Sequence, residues 1–564
     1  MRKISVLSEY QQSASVDIIN QMVYNVFIKA EREEKNMIKT DIKLPFNYSK
    51  DDIYSALMER LPIQKDEIKD LKIVKRAINI SDKNNIHYNV TLAVGLSCER
   101  EMGLLKMKKK VSKMDDLSFT IPPCSFNSRP IVVGAGPAGL FAAILLAEAG
   151  ARPVVIERGL SVEERVKKVD LFTSLGVLDT ECNIQFGEGG AGTFSDGKLK
   201  VGSLDKYKLK ILEKFVECGA PEEIIYTVGA HVGTDKLQNI LQKIRQNIIS
   251  LGGEILFSTK LTSLIIKDGK LIGIRAEHLG EEIQLDTEDL ILATGHSARD
   301  VFEMLKKAGV QLEPKGFGIG LRIEHPREYI DRLVYGENPP CGIGASSYHL
   351  VTHLPGGRSV YSFCMCPGGS VVAATSEQGG IVTNGMSHHA RNADNSNAAF
   401  LVSVTPEDFG SEDPLAGIYL QRAIEQKAFS VSGEKYKAPT TTMEAFMKKT
   451  TAEISEIVKP SYPIGTLPIS PEEYLPEYIT ESLREAIPDF DAWMPGFYLS
   501  EATLTGPETR STSPVRLVRT ADYQAVGING LYPTGEGAGY AGGIISSARD
   551  GLVVAESIIL KNQK

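Results

Sequence analysis

The chain has few cysteines for its 564 residues: seven, irregularly spaced and odd in number. Such a set builds no disulfide framework and suits reduced thiols. Long apolar runs are also missing. The longest uncharged apolar stretch, Ile131–Ala147, contains Gly-Pro and ends at Glu148, too short and too broken to span a membrane. Met1–Asp17 lacks the apolar core of a secretory signal. Positive charge is not in excess either. The formal net charge is −8, and Lys106–Lys110, the one basic run, reads as a solvated linker. Neutralising phosphates needs clustered Lys and Arg, so no nucleic-acid face is expected. There is no internal repeat and no low-complexity segment. Together these absences predict a soluble, cytoplasmic protein that does not enter membranes.

Glycine is what the chain has in quantity. Its 51 glycines exceed the usual share of roughly 7% and fall into a few runs, the mark of tight turns or of backbone close to a ligand. The length allows three or four units of roughly 150 residues. Asp41–Leu96 reads as a small α+β unit. It has a strand at Ile42–Leu44 and a helix from the N-cap Ser49, with Asp51 and Asp52 in its first turn, to about Arg60. Two β-rich runs follow, Leu71–Ile80 and Ile86–Val94, joined at Lys83-Asn84-Asn85. Gly103–Thr120 is expected to be a connector.

From Arg129 the pattern changes. Ile131-Val132-Val133 runs straight into Gly134-Ala135-Gly136-Pro137-Ala138-Gly139, then an Ala- and Leu-rich helix at Leu140–Ala149. A second strand, Pro153–Ile156, delivers Glu157, so the unit is βαβ with parallel strands. Gly134 permits the tight turn, Gly136 lets backbone approach a pyrophosphate, and Gly139 lets helix and strand pack closely. The helix N-terminus offers unpaired N–H groups to phosphates, and Glu157 is placed to accept from an adenosine ribose. Strands are expected at Glu254–Phe257, Leu261–Ile266, Leu271–Glu277, Glu282–Leu285 and Leu290–Leu292, the last ending in Ala293-Thr294-Gly295. Gly530–Ser557 reads as strand, Gly-rich turn and helix, while Val301–Leu499 is mixed. The densest glycine run, Phe186–Lys198, offers the N–H groups of Gly189, Gly190, Ala191, Gly192 and Thr193, with Ser195 beside them, to a pyrophosphate or flavin edge.

These segments resemble the glutathione-reductase-type FAD flavoproteins. Gly134–Gly139 with Glu157-Arg158 is similar to their first FAD motif, and Ala293-Thr294-Gly295 to their central one. Leu531–Gly537 looks like the C-terminal motif, with Glu536 where many relatives carry Asp. The resemblance implies FAD, with Leu261, Gly535, Glu536, Gly542, Gly543 and Ile544 among its contacts. The helix N-terminus after Gly543 would stabilise negative charge that develops on the reduced ring. Over almost its whole length the chain also resembles a narrower family of FAD-dependent dehydrogenases. That likeness is carried by the N-terminal unit, Phe186–Leu199, Arg322–Pro326, Tyr361–Gly369, Thr383–Ser387 and Glu508–Arg516. No second strand–GxGxxG–helix unit is present. Either NAD(P)H acts as a transient reductant without a Rossmann unit, or the substrate itself reduces the flavin.

Cys364 and Cys366 are candidates for a redox dithiol. In an extended strand, residues two apart share a face at a Cα spacing of about 6.6 Å, near the upper limit for a disulfide; the alternative is two small buried or site-lining residues. Arg510 and Arg516 are candidates to bind a substrate carboxylate or stabilise a reduced flavin, the alternative being structural ion pairs. Arg322 and His325 are further candidates, His325 as a proton donor. His349, His353, His388 and His389 lack further ligands at suitable spacing, so no metal is expected.

The resulting expectation is an α/β protein. A small N-terminal α+β module with linker covers residues 1–115. A discontinuous Rossmann-like FAD-binding domain covers 116–305 and 506–564, and an α+β substrate domain is inserted at 306–505. The expected function is hydride transfer between a small organic substrate and the flavin. An FAD-dependent tRNA-modifying protein and a non-catalytic flavin-binding protein are the alternatives.

Overall fold

The structure, a computed structural model, describes residues 37–106 and 111–563. Residues 107–110, most of the basic run, lie outside them. Packing divides the chain into two compact units. Among the described residues, one holds residues 37–79 and His87–Asp116; the other holds Ile80–Ile86 and the chain from Leu117 onward. No helix of the described residues is long and apolar enough to cross a membrane.

The first unit follows the order β-α-β-β-α-β, and its strands Met37–Pro45, Asp70–Asn79, His87–Gly95 and Ser112–Lys113 form one sheet. The sheet order is second, third, first, fourth, the split βαβ arrangement. Ser49 caps the first helix in a capping box with Asp52. The expected connector from Gly103 is more ordered than the sequence suggested. Ser97 caps a helix over Cys98–Leu105, and Lys113 then pairs with Ile38 at the sheet edge.

In the second unit, five short parallel strands lie in the order Leu531–Pro533, Leu290–Leu292, Ile131–Val133, Val154–Ile156, Glu254–Leu256. The helix Pro137–Glu148 has ten buried residues from Ala138 to Ala147 and packs against the C-terminal helix Ile544–Lys561. Two glycines make this geometry. Gly134 holds φ +102°, and a Cβ there would lie 2.4 Å from the Ala293 carbonyl oxygen. A Cβ on Gly139 would lie 1.9 Å from the Gly134 carbonyl oxygen, so nothing larger lets the helix start this close to the strand.

The stretch that reads as mixed in sequence builds a seven-stranded sheet around Phe317–Pro326, flanked by Asn395–Val404 and Thr503–Glu508. Its side chains alternate. Phe317, Ile319, Leu321 and Ile323 enter an apolar core with Phe400, Phe490 and Phe497. Arg322 and Glu324 take the opposite parity and are fully buried on the other face.

A buried ion cluster ties this sheet region to the parallel one. Glu425, on the helix Ala416–Val431, accepts 2.8 and 2.9 Å bonds from Arg299, at the start of the helix Arg299–Lys307. It accepts 3.0 and 2.8 Å bonds from Arg510 as well. Burial pushes the Glu425 carboxyl up, but the two guanidinium groups overcome this and hold it well below the usual carboxylate range. Glu425→Gln should therefore cost about 3–5 kcal/mol, because Arg510 loses its carboxylate partner and Arg299 is left with Glu377 alone among the described carboxylates. A fall in the chemical-denaturation midpoint reads this directly. Since the folded pKa is depressed, the contribution is complete above the ordinary value of about 4.3 and fades as pH falls below it. The variant's acid limb should be correspondingly flatter than that of the parent.

Candidate functional site

A cavity of about 500 Å³ opens at the carboxyl ends of the parallel strands. One stretch is lined by Gly134, Gly136, Pro137 and Ala138 of the turn, by Glu157, Arg158 and Leu261, and by Ala293, Thr294 and Gly295. The glycine loop adds Gly190, Ala191, Gly192 and Ser195, and the C-terminal segment adds Glu536, Gly542, Gly543 and Ile544. The remaining predicted cofactor residues stand behind this wall. Ala135 is fully buried and its carbonyl accepts a 2.7 Å bond from the Gly189 N–H. Gly139 packs on Gly134, Thr193 Oγ1 donates to the Glu188 carbonyl at 3.2 Å, and the Gly535 N–H donates to Asp550 at 2.7 Å.

The glycine loop is shaped by a residue that sequence reasoning missed. Arg165, on the helix Val162–Leu175, is fully buried and donates to five loop carbonyls, those of Asn183, Ile184, Gly187, Glu188 and Gly190. Burial pulls its pKa down to about 10, which leaves it charged at neutral pH. A trans peptide places N–H opposite C=O, so turning the Gly190 carbonyl inward turns the Ala191 N–H away from Arg165. Ala191 lines the cavity, and its N–H has no acceptor among the described residues. Glu157 does the complementary work. Its carboxylate accepts from the N–H groups of Ala135, Gly159 and Gly187 at 2.8, 2.9 and 3.0 Å, tying turn, strand end and loop together.

Two helix N-termini reach the same cavity, those of Pro137–Glu148 and Ile544–Lys561, and neither carries a side-chain cap. Their free N–H groups and dipoles favour negative charge in the space between them. Gly136 has ordinary φ, and a Cβ there would meet nothing nearer than the Gly190 Cα at 3.8 Å. That space is open to a ligand, and a dinucleotide fits the donors around it.

Beyond this cradle the wall changes to Lys198, Phe363, Cys364, Asn384, Glu508, Arg510 and Ser511. Arg510 and Cys364 thus line the cavity, whereas Cys366 and His325 do not. His325 shares the parity of Ile323 on its strand. It lies 1% exposed in the apolar core, its Nε2 3.0 Å from the Phe497 carbonyl oxygen, and burial lowers its pKa to about 4. It is a neutral core residue, not a proton donor in the cavity. Arg322 faces the other way and pairs with Glu508 through 2.6 and 3.0 Å bonds. Burial pushes the Glu508 carboxyl upward while Arg322 pulls against it. Arg510 spends three donors on Glu425 and Ser376. Arg516 is exposed, its guanidinium over the Tyr540 ring. The expectation that Cys364 and Cys366 share one face of a regular strand fails, because a β-bulge falls between Phe363 and Cys366. Among the described residues no cluster of His, Cys, Asp and Glu is arranged to hold a metal.

Residues 128–179 match a family described as FAD binding domain, and residues 316–511 match one described as FAD-dependent protein, C-terminal domain-like. A Clostridium beijerinckii protein described as uncharacterized is 45% identical over 527 residues, covering 91% of this chain and 98% of its own. The chain belongs to the family of this clostridial protein, and its cofactor is FAD. Two solved structures show distant likeness. A 3-ketosteroid-Δ4-(5α)-dehydrogenase from Rhodococcus jostii RHA1 is 13% identical with TM-score 0.33, over 79% of this chain and 100% of that one. A flavoprotein/dehydrogenase from Cytophaga hutchinsonii is 12% identical with TM-score 0.35, over 77% and 79%. Nothing about activity rests on similarity at that level.

The two helix-turn glycines separate folding from FAD binding. Gly136→Leu should give folded protein with no bound flavin, because only ligand space is filled. Gly139→Leu should fail to fold, because the side chain meets backbone. Circular dichroism with flavin absorbance checks both, and full flavin retention by Gly136→Leu would remove the cradle assignment.

Proposed function

We propose that this flavoprotein is an oxidoreductase that passes a hydride between a small organic substrate and FAD. The observation that carries this reading is the continuity of one cavity from the dinucleotide turn into a polar chamber walled by the seven-stranded sheet region. A flavin held only as a structural element has no use for such a chamber. When bound, FAD supplies a two-electron carrier whose ring gains negative charge on reduction.

The chain's own groups define what the chamber holds. Asn384 is oriented by its carbonyl oxygen, which accepts from Arg322 at 2.9 Å and from the Gly385 N–H at 2.8 Å. Its amide NH₂ therefore points elsewhere, and has no partner among the described residues. Lys198 lines the cavity half-buried with no carboxylate partner among the described residues. Arg510, with five N–H donors in all, keeps two uncommitted beyond its bonds to Glu425 and Ser376. A wall of preset donors suits a substrate rich in acceptors, a carbonyl or carboxylate compound.

Anaerobic titration of the holoprotein with NADH, NADPH and a panel of hydroxy, keto and unsaturated carboxylic acids tests this. At least one compound should bleach the flavin band stoichiometrically. With that compound, Asn384→Leu should lower kcat/KM by about 10²–10³-fold while flavin content stays unchanged. If no compound reduces the flavin, or none that reduces it is sensitive to Asn384, the reading is wrong.

A further inference from the structure

We propose that Cys364 and Cys366 form a dithiol–disulfide couple that exchanges two electrons with the bound flavin. This goes beyond the hydride-transfer reading and depends only on the cofactor.

The strand Ser359–Cys366 pairs with Asn395–Val404 as far as Phe363↔Ala399, and the next pair is Cys366↔Asn397. Three steps on one strand therefore answer two on the other, and Cys364 sits in the bulge. It holds φ +40°, a region that non-glycine residues seldom occupy and that persists where surroundings enforce it. The enforcing contact is Arg322, whose Nη1 donates to the Cys364 carbonyl at 2.8 Å. The consequence is an asymmetric pair. Cys364 lines the cavity, while Cys366 is fully buried, its Sγ 3.3 Å from the Cys364 carbonyl oxygen.

The electrostatics divide the two thiols. The neighbouring Cys366 thiol is the chief cause that draws Cys364 down, and Arg322 and Lys198 add to it. Cys366 is pushed up in return, so the more readily ionised thiol of the pair is the one that lines the cavity. Elsewhere in this chain burial outweighs the basic neighbours of a cysteine, Arg165 beside Cys182 and Lys214 beside Cys218. Cys182 is raised, and Cys218 is raised to about 11. Two cysteines serving only as packing would not need a bulge pinned by a buried arginine, nor an unpaired lysine beside one of them.

The step balances within the site. The Cys364 thiolate and Cys366 thiol lose two electrons as their Sγ–Sγ bond forms. Oxidised flavin takes both electrons and the Cys366 proton, leaving the disulfide and the singly protonated reduced flavin anion. The bulge leaves the Cys366 Sγ only 3.3 Å from the Cys364 carbonyl oxygen, so the two residues are already in contact, and a disulfide bridges Cα atoms up to about 6.8 Å apart.

Reductive titration of air-oxidised holoprotein with dithionite under nitrogen tests the couple. The wild type should take four electrons per flavin, and Cys366→Ser should take two. Denatured thiol counts should be two lower in the oxidised wild type than the seven cysteines of the chain, and all seven should react after reduction. If Cys366→Ser does not fold, the wild-type counts alone decide. Two electrons per flavin with seven free thiols in both states would overturn the couple and leave the hydride-transfer reading untouched.

Discussion

The buried guanidinium of Arg165 is the contact on which the cofactor cradle depends. A loop with glycines at 187, 189, 190 and 192 has little preference of its own, since glycine adopts either sign of φ at little cost. Five carbonyls drawn onto one cation remove that freedom and decide which way each peptide N–H faces. Glu157 is the counterpart with opposite charge, gathering three N–H groups from the turn, the strand end and the same loop. One buried cation and one buried anion thereby set the polarity of the backbone around the dinucleotide.

The same device recurs where the seven-stranded sheet meets the cavity. Arg322 binds Glu508, Asn384, Asn397 and the Cys364 carbonyl, so one side chain fixes the orientation of an amide and the shape of a bulge. Buried charge of this kind is weak evidence for stability, because desolvation offsets much of the attraction. Its effect here is positional. Asn384 presents donors and not an acceptor to the chamber because Arg322 and the Gly385 N–H hold its oxygen, and Cys364 faces the cavity because its backbone is held in an uncommon conformation.

The nucleotide half was legible in sequence because its determinants are local. Gly134, Gly136 and Gly139 act within one turn, and Leu290–Leu292 and Leu531–Pro533 are short apolar runs that end in recognisable turns. The helix at Cys98–Leu105 was missed although Ser97 is an ordinary cap. The middle region was harder to read because its strands pair over long range: Phe317–Pro326 bonds to Thr503–Glu508 nearly two hundred residues away. Parity within that strand was the available clue. Arg322 and Glu324 alternate with Ile323 and His325, which places the arginine toward the site and the histidine in the core.

Sequence by itself determined the βαβ turn and the small α+β module, since each follows from residue types at fixed short spacing, while FAD entered as what the resemblance to known flavoproteins implies. Only the tertiary structure decided which of the chemically interesting residues meet. Arg165, Lys198, Asn384 and Glu508 enter the site through contacts between distant segments, and His325 leaves it through the parity of one strand. Spacing along the chain carries no information about such contacts, because they are made by packing across sheets and not by neighbours in sequence.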